Sequence, residues 1–273
     1  GSVKDRAAAR IIAAAEQAGQ LNGSRCAEAP GAASFSRSRV LLDATSGNTG
    51  VAYAMIGAAK GYRVKLCVPS NAGREILQTL RAFGADLILT SPLEGSDGAI
   101  REAQRLAAAH PDLYFYANQY NNPANWQAHQ QTTGPEIWQQ TNGEVTHFVA
   151  GIGTSGTLMG TGRFLKEQNP SIRVIAVQPD SPLHGLEGLK HMPTSIVPGI
   201  YDSRLPDEIL EIRTEDAYHQ VKRLAAEEGL LVGVSSGAAL AAGLRMAARI
   251  EEGCVAMVFP DGGSRYLDEE FWK

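Results

Sequence analysis

Three glycine-rich turns and one lysine carry the residue types from which this chain could build a reactive site. In the first turn, Gly151-Ile-Gly-Thr-Ser-Gly-Thr157, glycines let backbone N–H groups converge on an anion. Hydroxyls at Thr154, Ser155 and Thr157 could grip that anion from several sides. Gly151, Gly153 and Gly156 also satisfy the dinucleotide fingerprint, with Asp180 where a ribose-binding acid would sit. A pyrophosphate crossing a helix end needs bare backbone, so the hydroxyl-rich run favours a phosphate monoester; a tight turn without any ligand is the plain alternative. The second turn, Gly233-Val-Ser235-Ser-Gly237, has the form of a hydrolase nucleophile elbow, which needs an acid and then a histidine further along the chain. The last histidine is His219, which precedes the motif, so the hydrolase reading falls. The third turn, Thr45, Ser46, Gly47, Asn48, Thr49 and Gly50, is dense in hydroxyl and amide groups and could hold a carboxylate, or could merely cap a helix. Lys4 lies between Val3 and Asp5 at a predicted helix start, where an ordinary solvated lysine is the plain reading.

The elements that must position these residues alternate. Short apolar runs predict strands at 40–44, 64–69, 85–90, 113–117, 145–150, 173–178, 230–234 and 254–260. Helical patterns fall at 5–18, 51–60, 74–83, 97–109, 126–141, 157–168, 216–227 and 238–250. Continuous apolar strands spaced by helices imply a parallel sheet covered on both faces. All three turns follow predicted strands, at the sheet edge where open α/β sheets bind ligands. Residues 22–39 read as a long exposed loop, and 179–206, with five prolines and two histidines, as a second irregular stretch of the kind that lines binding sites.

At 273 residues the chain is long enough for two α/β lobes, expected at 1–120 (smaller) and 121–273 (larger). With 44% hydrophobic and 20% charged residues it can bury a core and is not disordered. A net charge of -4 gives no general attraction to nucleic acid or an anionic membrane, so an anion site must be local. No apolar run approaches the ~20 residues of a bilayer span. The cysteines, Cys26, Cys67 and Cys254, are odd in number and lack metal-ligand spacing, so no metal site is expected; Cys67 and Cys254, each inside an apolar stretch, read as buried thiols in a reducing cytoplasm.

Together these residues resemble the fold-type II pyridoxal-phosphate enzymes, specifically the cysteine synthase and cystathionine β-synthase family. Gly1-Ser-Val-Lys-Asp-Arg6 is similar to the cofactor-attachment motif, which makes Lys4 the Schiff-base lysine. The turn from Thr45 to Gly50 matches the substrate loop, and Asn118-Gln-Tyr-Asn-Asn-Pro-Ala-Asn125 with Thr132-Thr-Gly-Pro-Glu-Ile-Trp138 is similar to the stretch whose glutamine, here Gln119, contacts the substrate carboxylate. Gly153, Thr154, Ser155, Gly156 and Thr157 match the phosphate loop, with Ser155 where many members carry glycine. Ser235 falls on the serine facing the pyridine nitrogen, and Asp261-Gly-Gly-Ser-Arg-Tyr-Leu267 resembles the C-terminal signature. Residues 157–165 and 188–201 lean toward the B-type cysteine synthases, in which a basic residue near Lys190 reads the leaving group or the incoming nucleophile. The resemblance implies the tryptophan synthase β-like α/β fold, two lobes each with a mostly parallel sheet covered by helices. Family members place several tens of residues before the lysine motif, so the expectation is of an N-terminally truncated member.

The implied activity is β-replacement on an activated serine (O-acetylserine or O-phosphoserine), with sulfide adding to an aminoacrylate to give cysteine. The implied roles are Lys4 as attachment point and general base, Asn48 at the cofactor's ring oxygen, and Thr45, Ser46, Gly47, Thr49 and Gln119 at the substrate carboxylate. General-base action needs a neutral Lys4 amine. A neutral Ser235 hydroxyl leaves the pyridine nitrogen unprotonated and favours Cβ elimination over transamination. A cytoplasmic homodimer is implied. A degenerate inactive homologue serving as a binding protein, and a cystathionine β-synthase-type enzyme using a larger thiol, are the alternatives.

Overall fold

The computed structural model describes residues 1–22 and 39–273, so Cys26 and most of the loop expected at 22–39 lie outside the described residues. The described chain forms two compact units, Lys4–Ala124 and the pair of segments Gly1–Val3 with Asn125–Lys273.

In the Lys4–Ala124 unit a parallel sheet runs in the order β3 (Asp86–Thr90), β2 (Val64–Pro69), β1 (Val40–Ala44), β4 (Tyr114–Tyr116). β1 is buried at every position because both faces of the sheet are covered. Leu41, Leu66 and Val68 point to one core with Ile11 and Ile12 of α1 (Lys4–Gln17), Tyr53 of α2 (Asn48–Lys60) and Leu80 of α3 (Arg74–Ala82). Val40, Leu42 and Cys67 point to the other, with Ala99, Ile100 and Ala103 of α4 (Gly95–Ala109). The alternation follows from the two-residue period of a strand. The second and third strands add to one side of β1 and the fourth to the other, so the chain's winding reverses between β1 and β4.

The second unit repeats that arrangement: β7 (Glu208–Ile212), β6 (Arg173–Pro179), β5 (Val145–Gly151), β8 (Cys254–Met257), all parallel. Val149, Ile175 and Val177 pack with Ala217 of α8 (Thr214–Glu228) and with Ala238 and Ala242 of α9 (Val234–Ala247) on one face. Phe148, Val174 and Ala176 pack with Leu158, Met159 and Leu165 of α7 (Gly156–Gln168) on the other. Here the reversal falls between β5 and β8.

Three elements differ from the sequence reading. The strand expected at 230–234 is a single antiparallel bridge, Val232 to Gly262, with Leu230 and Leu231 exposed. β7 was not expected, because its edge sequence Glu-Ile-Leu-Glu-Ile carries acids among apolar residues and follows an irregular stretch. The helix expected at 126–141 is two, α5 (Pro123–Gln131) and α6 (Thr133–Gln140). Pro135 has no N–H to return to the carbonyl of Gln131, and the Thr132 hydroxyl donates to the Ala128 carbonyl at 2.7 Å. No described helix is long and apolar enough to cross a membrane.

Candidate active site

In the Lys4–Ala124 unit, Lys4 is the first residue of α1 and is half-buried. It follows Val3, whose N–H donates to the Pro260 carbonyl at 2.8 Å, while Ser2 bridges Asp261. The tripeptide before the lysine is therefore tied to the segment leaving β8.

The turn at 45–50 connects β1 to α2, and the helix begins at Asn48, inside the motif rather than after it. The Thr45 hydroxyl accepts the N–H groups of Gly47 and Gly50, both at 3.1 Å, and contacts the Gly47 carbonyl at 3.3 Å. Thr45 thus shapes the turn from inside. Gly50 lies against the Thr45 methyl so closely that a Cβ there would collide with it. Ser46, Gly47 and Asn48 are partly exposed on the same turn, with Thr49 buried behind them.

Gln119 follows β4, at the point where the winding reverses. It is buried; its N–H donates to Asp43 Oδ2 at 3.1 Å and its Nε2 donates to the Ala44 carbonyl at 2.7 Å. Burial pushes the Asp43 carboxyl up to about 7, against the opposing pull of the Ala44 and Gln119 N–H groups and the Tyr53 hydroxyl.

In the second unit, Gly153, Thr154 and Ser155 join β5 to α7, and Gly156 and Thr157 open that helix. Ser155 sits at φ 69°, in the left-handed region that glycine adopts without strain. That conformation is a physical reason for glycine at this place. Its Oγ is buried and has no partner within the protein. Thr154 accepts the Asn125 side-chain amide at 3.0 Å, and Thr157 meets His129 Nε2 at 3.4 Å, with His129 Nδ1 on Thr133 Oγ1 at 2.9 Å. Asn125 also fills the space a Cβ on Gly156 would need. The Lys190 N–H donates to the Ile152 carbonyl at 2.8 Å, which ties a mostly buried lysine to the same turn. The first turn of a helix leaves backbone N–H groups without intrahelical acceptors. Those groups and the three hydroxyls of Thr154, Ser155 and Thr157, of which the buried Ser155 Oγ has no partner within the protein, make a donor set suited to a phosphate monoester.

Ser235 is buried in the first turn of α9. Gly233 donates its N–H to the Asp261 carbonyl at 3.1 Å, and Tyr266 donates its hydroxyl to Asp261 Oδ2 at 2.8 Å, so the C-terminal signature residues hold the start of that helix. A neutral hydroxyl there can face a ring nitrogen without protonating it. The supporting residues Asp43, Asn125 and His129 were not singled out by the sequence reading. Asn125 lay within a quoted stretch, but its amide meets a hydroxyl 29 residues away.

Comparison with known proteins gives a consistent picture. The family model described as pyridoxal-phosphate dependent enzyme matches residues 1–261. The chain is 50% identical over 271 residues to a cysteine synthase of Aquifex aeolicus, covering 98% of this chain and 79% of that protein. It is 43% identical over 267 residues to cysteine synthase B of Escherichia coli, covering 98% and 82%. The crystal structure of a cysteine synthase from Entamoeba histolytica superposes with a TM-score of 0.87 at 37% identity, covering all of this chain and 78% of that one.

Proposed function

Because the chain belongs to the pyridoxal-phosphate dependent enzyme family, we propose that it forms L-cysteine by β-replacement on an activated serine with sulfide. The observation that carries the reading is the polar turn between β5 and α7, where the buried Ser155 hydroxyl has no partner within the protein. The residues present fit a phosphate-bearing cofactor, and the family match spans every residue assigned a role up to the C-terminal signature.

In this reading Gly153, Thr154, Ser155, Gly156 and Thr157 hold the phosphate of pyridoxal phosphate, Lys4 attaches the cofactor, Asn48 meets its ring oxygen and Ser235 its ring nitrogen. When bound, the cofactor withdraws electron density from the substrate's Cα, which acidifies the Cα–H bond and lets a leaving group depart from Cβ. Lys4 then removes the Cα proton through its neutral amine and returns it after sulfide has joined Cβ. Ser46, Gly47, Thr49 and Gln119 hold the substrate carboxylate, with Thr45 setting the shape of the turn. Ser235 keeps a neutral contact at the ring nitrogen and so limits transamination. The reading includes a cytoplasmic homodimer, which the family resemblance implies. Sedimentation of the purified chain reads the assembly.

The test is cysteine formation by the pyridoxal-phosphate-loaded chain from sulfide with O-acetylserine or with O-phosphoserine in separate arms. Cysteine from either arm supports the reading, and the faster arm identifies the donor. No cysteine from either contradicts it.

A further inference from the structure

Among the described residues, Asp43 is a buried carboxyl that the mechanism above leaves unused. Asp43 lies in β1, one residue before its end, and is wholly buried. A carboxylate in such a place is costly unless its oxygens are well occupied. Here they are. Oδ1 accepts the Ala44 N–H at 2.8 Å and Oδ2 accepts the Gln119 N–H at 3.1 Å. Gln119 returns its side chain to the Ala44 carbonyl at 2.7 Å. The three bonds close a ring across the neighbouring strands β1 and β4.

Its position in the sheet explains why a side chain is needed. The β1–β4 ladder pairs Val40 with Tyr114, Leu41 with Phe115 and Leu42 with Tyr116. The Ala117 N–H still reaches the Leu42 carbonyl at 2.9 Å, and beyond it the two backbones part toward the 45–50 turn and the 118–122 segment. At that point Asp43 supplies the acceptor for Gln119 that the strand backbone no longer supplies. We propose that Asp43 is a positioning residue, which fixes Gln119 and the 45–50 turn relative to each other so that one substrate carboxylate meets both. The inference rests on the β-replacement reading, which places the substrate carboxylate there.

Asp43→Asn tests it with little change in shape. Its amide must turn an N–H donor toward either Ala44 or Gln119, so one side of the ring opens. The KM for the serine donor should rise about tenfold while kcat stays within about threefold and cofactor affinity is unchanged. In a Gln119→Met background, which lacks the return bond to Ala44, the Asp43→Asn change should add little, so the two effects do not multiply. An unchanged KM, independent effects that multiply, or loss of cofactor in Asp43→Asn would overturn the proposal. The unsubstituted protein offers a second readout that needs no catalysis and no variant: amide exchange of Gln119 followed by NMR. The ring predicts strong protection of that N–H, and exchange as fast as in an exposed loop would overturn it. If the unsubstituted chain makes no cysteine, the β-replacement reading fails, while the exchange measurement still decides whether the ring holds.

Discussion

The side-chain amide of Asn125 donates to the Thr154 hydroxyl at 3.0 Å, and the same side chain occupies the space beside Gly156 that any larger residue would need. One residue from the start of α5 therefore sets both a hydroxyl and the backbone approach of the proposed phosphate turn.

Asn125→Ala removes that donor and leaves a void next to Gly156. A net hydrogen bond is worth about 1 kcal/mol, so the affinity for pyridoxal phosphate should fall by roughly five- to tenfold. Titration of the cofactor against the unsubstituted protein and the variant measures it. Equal affinities would remove Asn125 from the account.

Ser155→Gly separates backbone strain from ligand binding. A non-glycine residue in the left-handed region costs about 1 to 2 kcal/mol, offset by the ~1 kcal/mol that glycine's flexibility adds to the unfolded chain. Thermal stability without cofactor should therefore be equal or slightly higher. Cofactor affinity should drop about tenfold or more, because a charge-assisted bond from Oγ to phosphate is lost. A variant that binds as tightly as the parent would mean that the Ser155 hydroxyl does not meet the phosphate.

Stability against pH reads Asp43. Its carboxyl stands near 7 in the folded state and near 3.9 in the unfolded chain, so between those values the folded protein holds the extra proton. Stability therefore falls as pH rises through that window, by on the order of a few kcal/mol, and levels off above it. The groups facing Asp43 are Tyr53 on α2, Tyr116 on β4, Tyr120 after it and Cys67 on β2, and all are held uncharged in this range by burial. Asp43→Asn should flatten this contribution, which appears as the difference between the two stability curves; the half-buried Glu187, also pushed up to about 7 by desolvation, is common to both. Parallel curves would refute the assignment.

Ser235→Asp places a carboxylate at a buried position in the first turn of α9. A helix N-terminus tolerates an acid, so the variant should fold. A carboxylate opposite the ring nitrogen would favour its protonation, and the share of transamination products relative to cysteine should rise several-fold. Unaltered partitioning, followed by product analysis over many turnovers, would show that Ser235 does not govern it.

The sequence made the sheet strands legible where burial on both faces demands continuous apolar runs, as in Val-Leu-Leu-Asp-Ala of β1. It misled at 230–234, where an equally apolar run is left exposed at Leu230 and Leu231. It hid β7, an edge strand in which Ile209 and Glu211 are exposed and an acid, Glu208, shares the face of buried Leu210 and Ile212. Turns following β1 and β5 were readable because glycine and hydroxyl residues there serve a local need, as Thr45 and Ser155 show. The residues that hold those turns were not. Asp43 meets Gln119 across 76 positions and His129 meets Thr157 across 28, and no local spacing encodes either pairing.

The most direct test of the account is the attachment of the cofactor to Lys4. The protein would be loaded with pyridoxal phosphate, reduced with borohydride, digested, and its peptides weighed, beside Lys4→Ala treated identically. The account predicts the reduced cofactor on the N-terminal peptide carrying Lys4 and no covalent cofactor in the variant. Cofactor reduced onto another lysine, or retained covalently by Lys4→Ala, would contradict it.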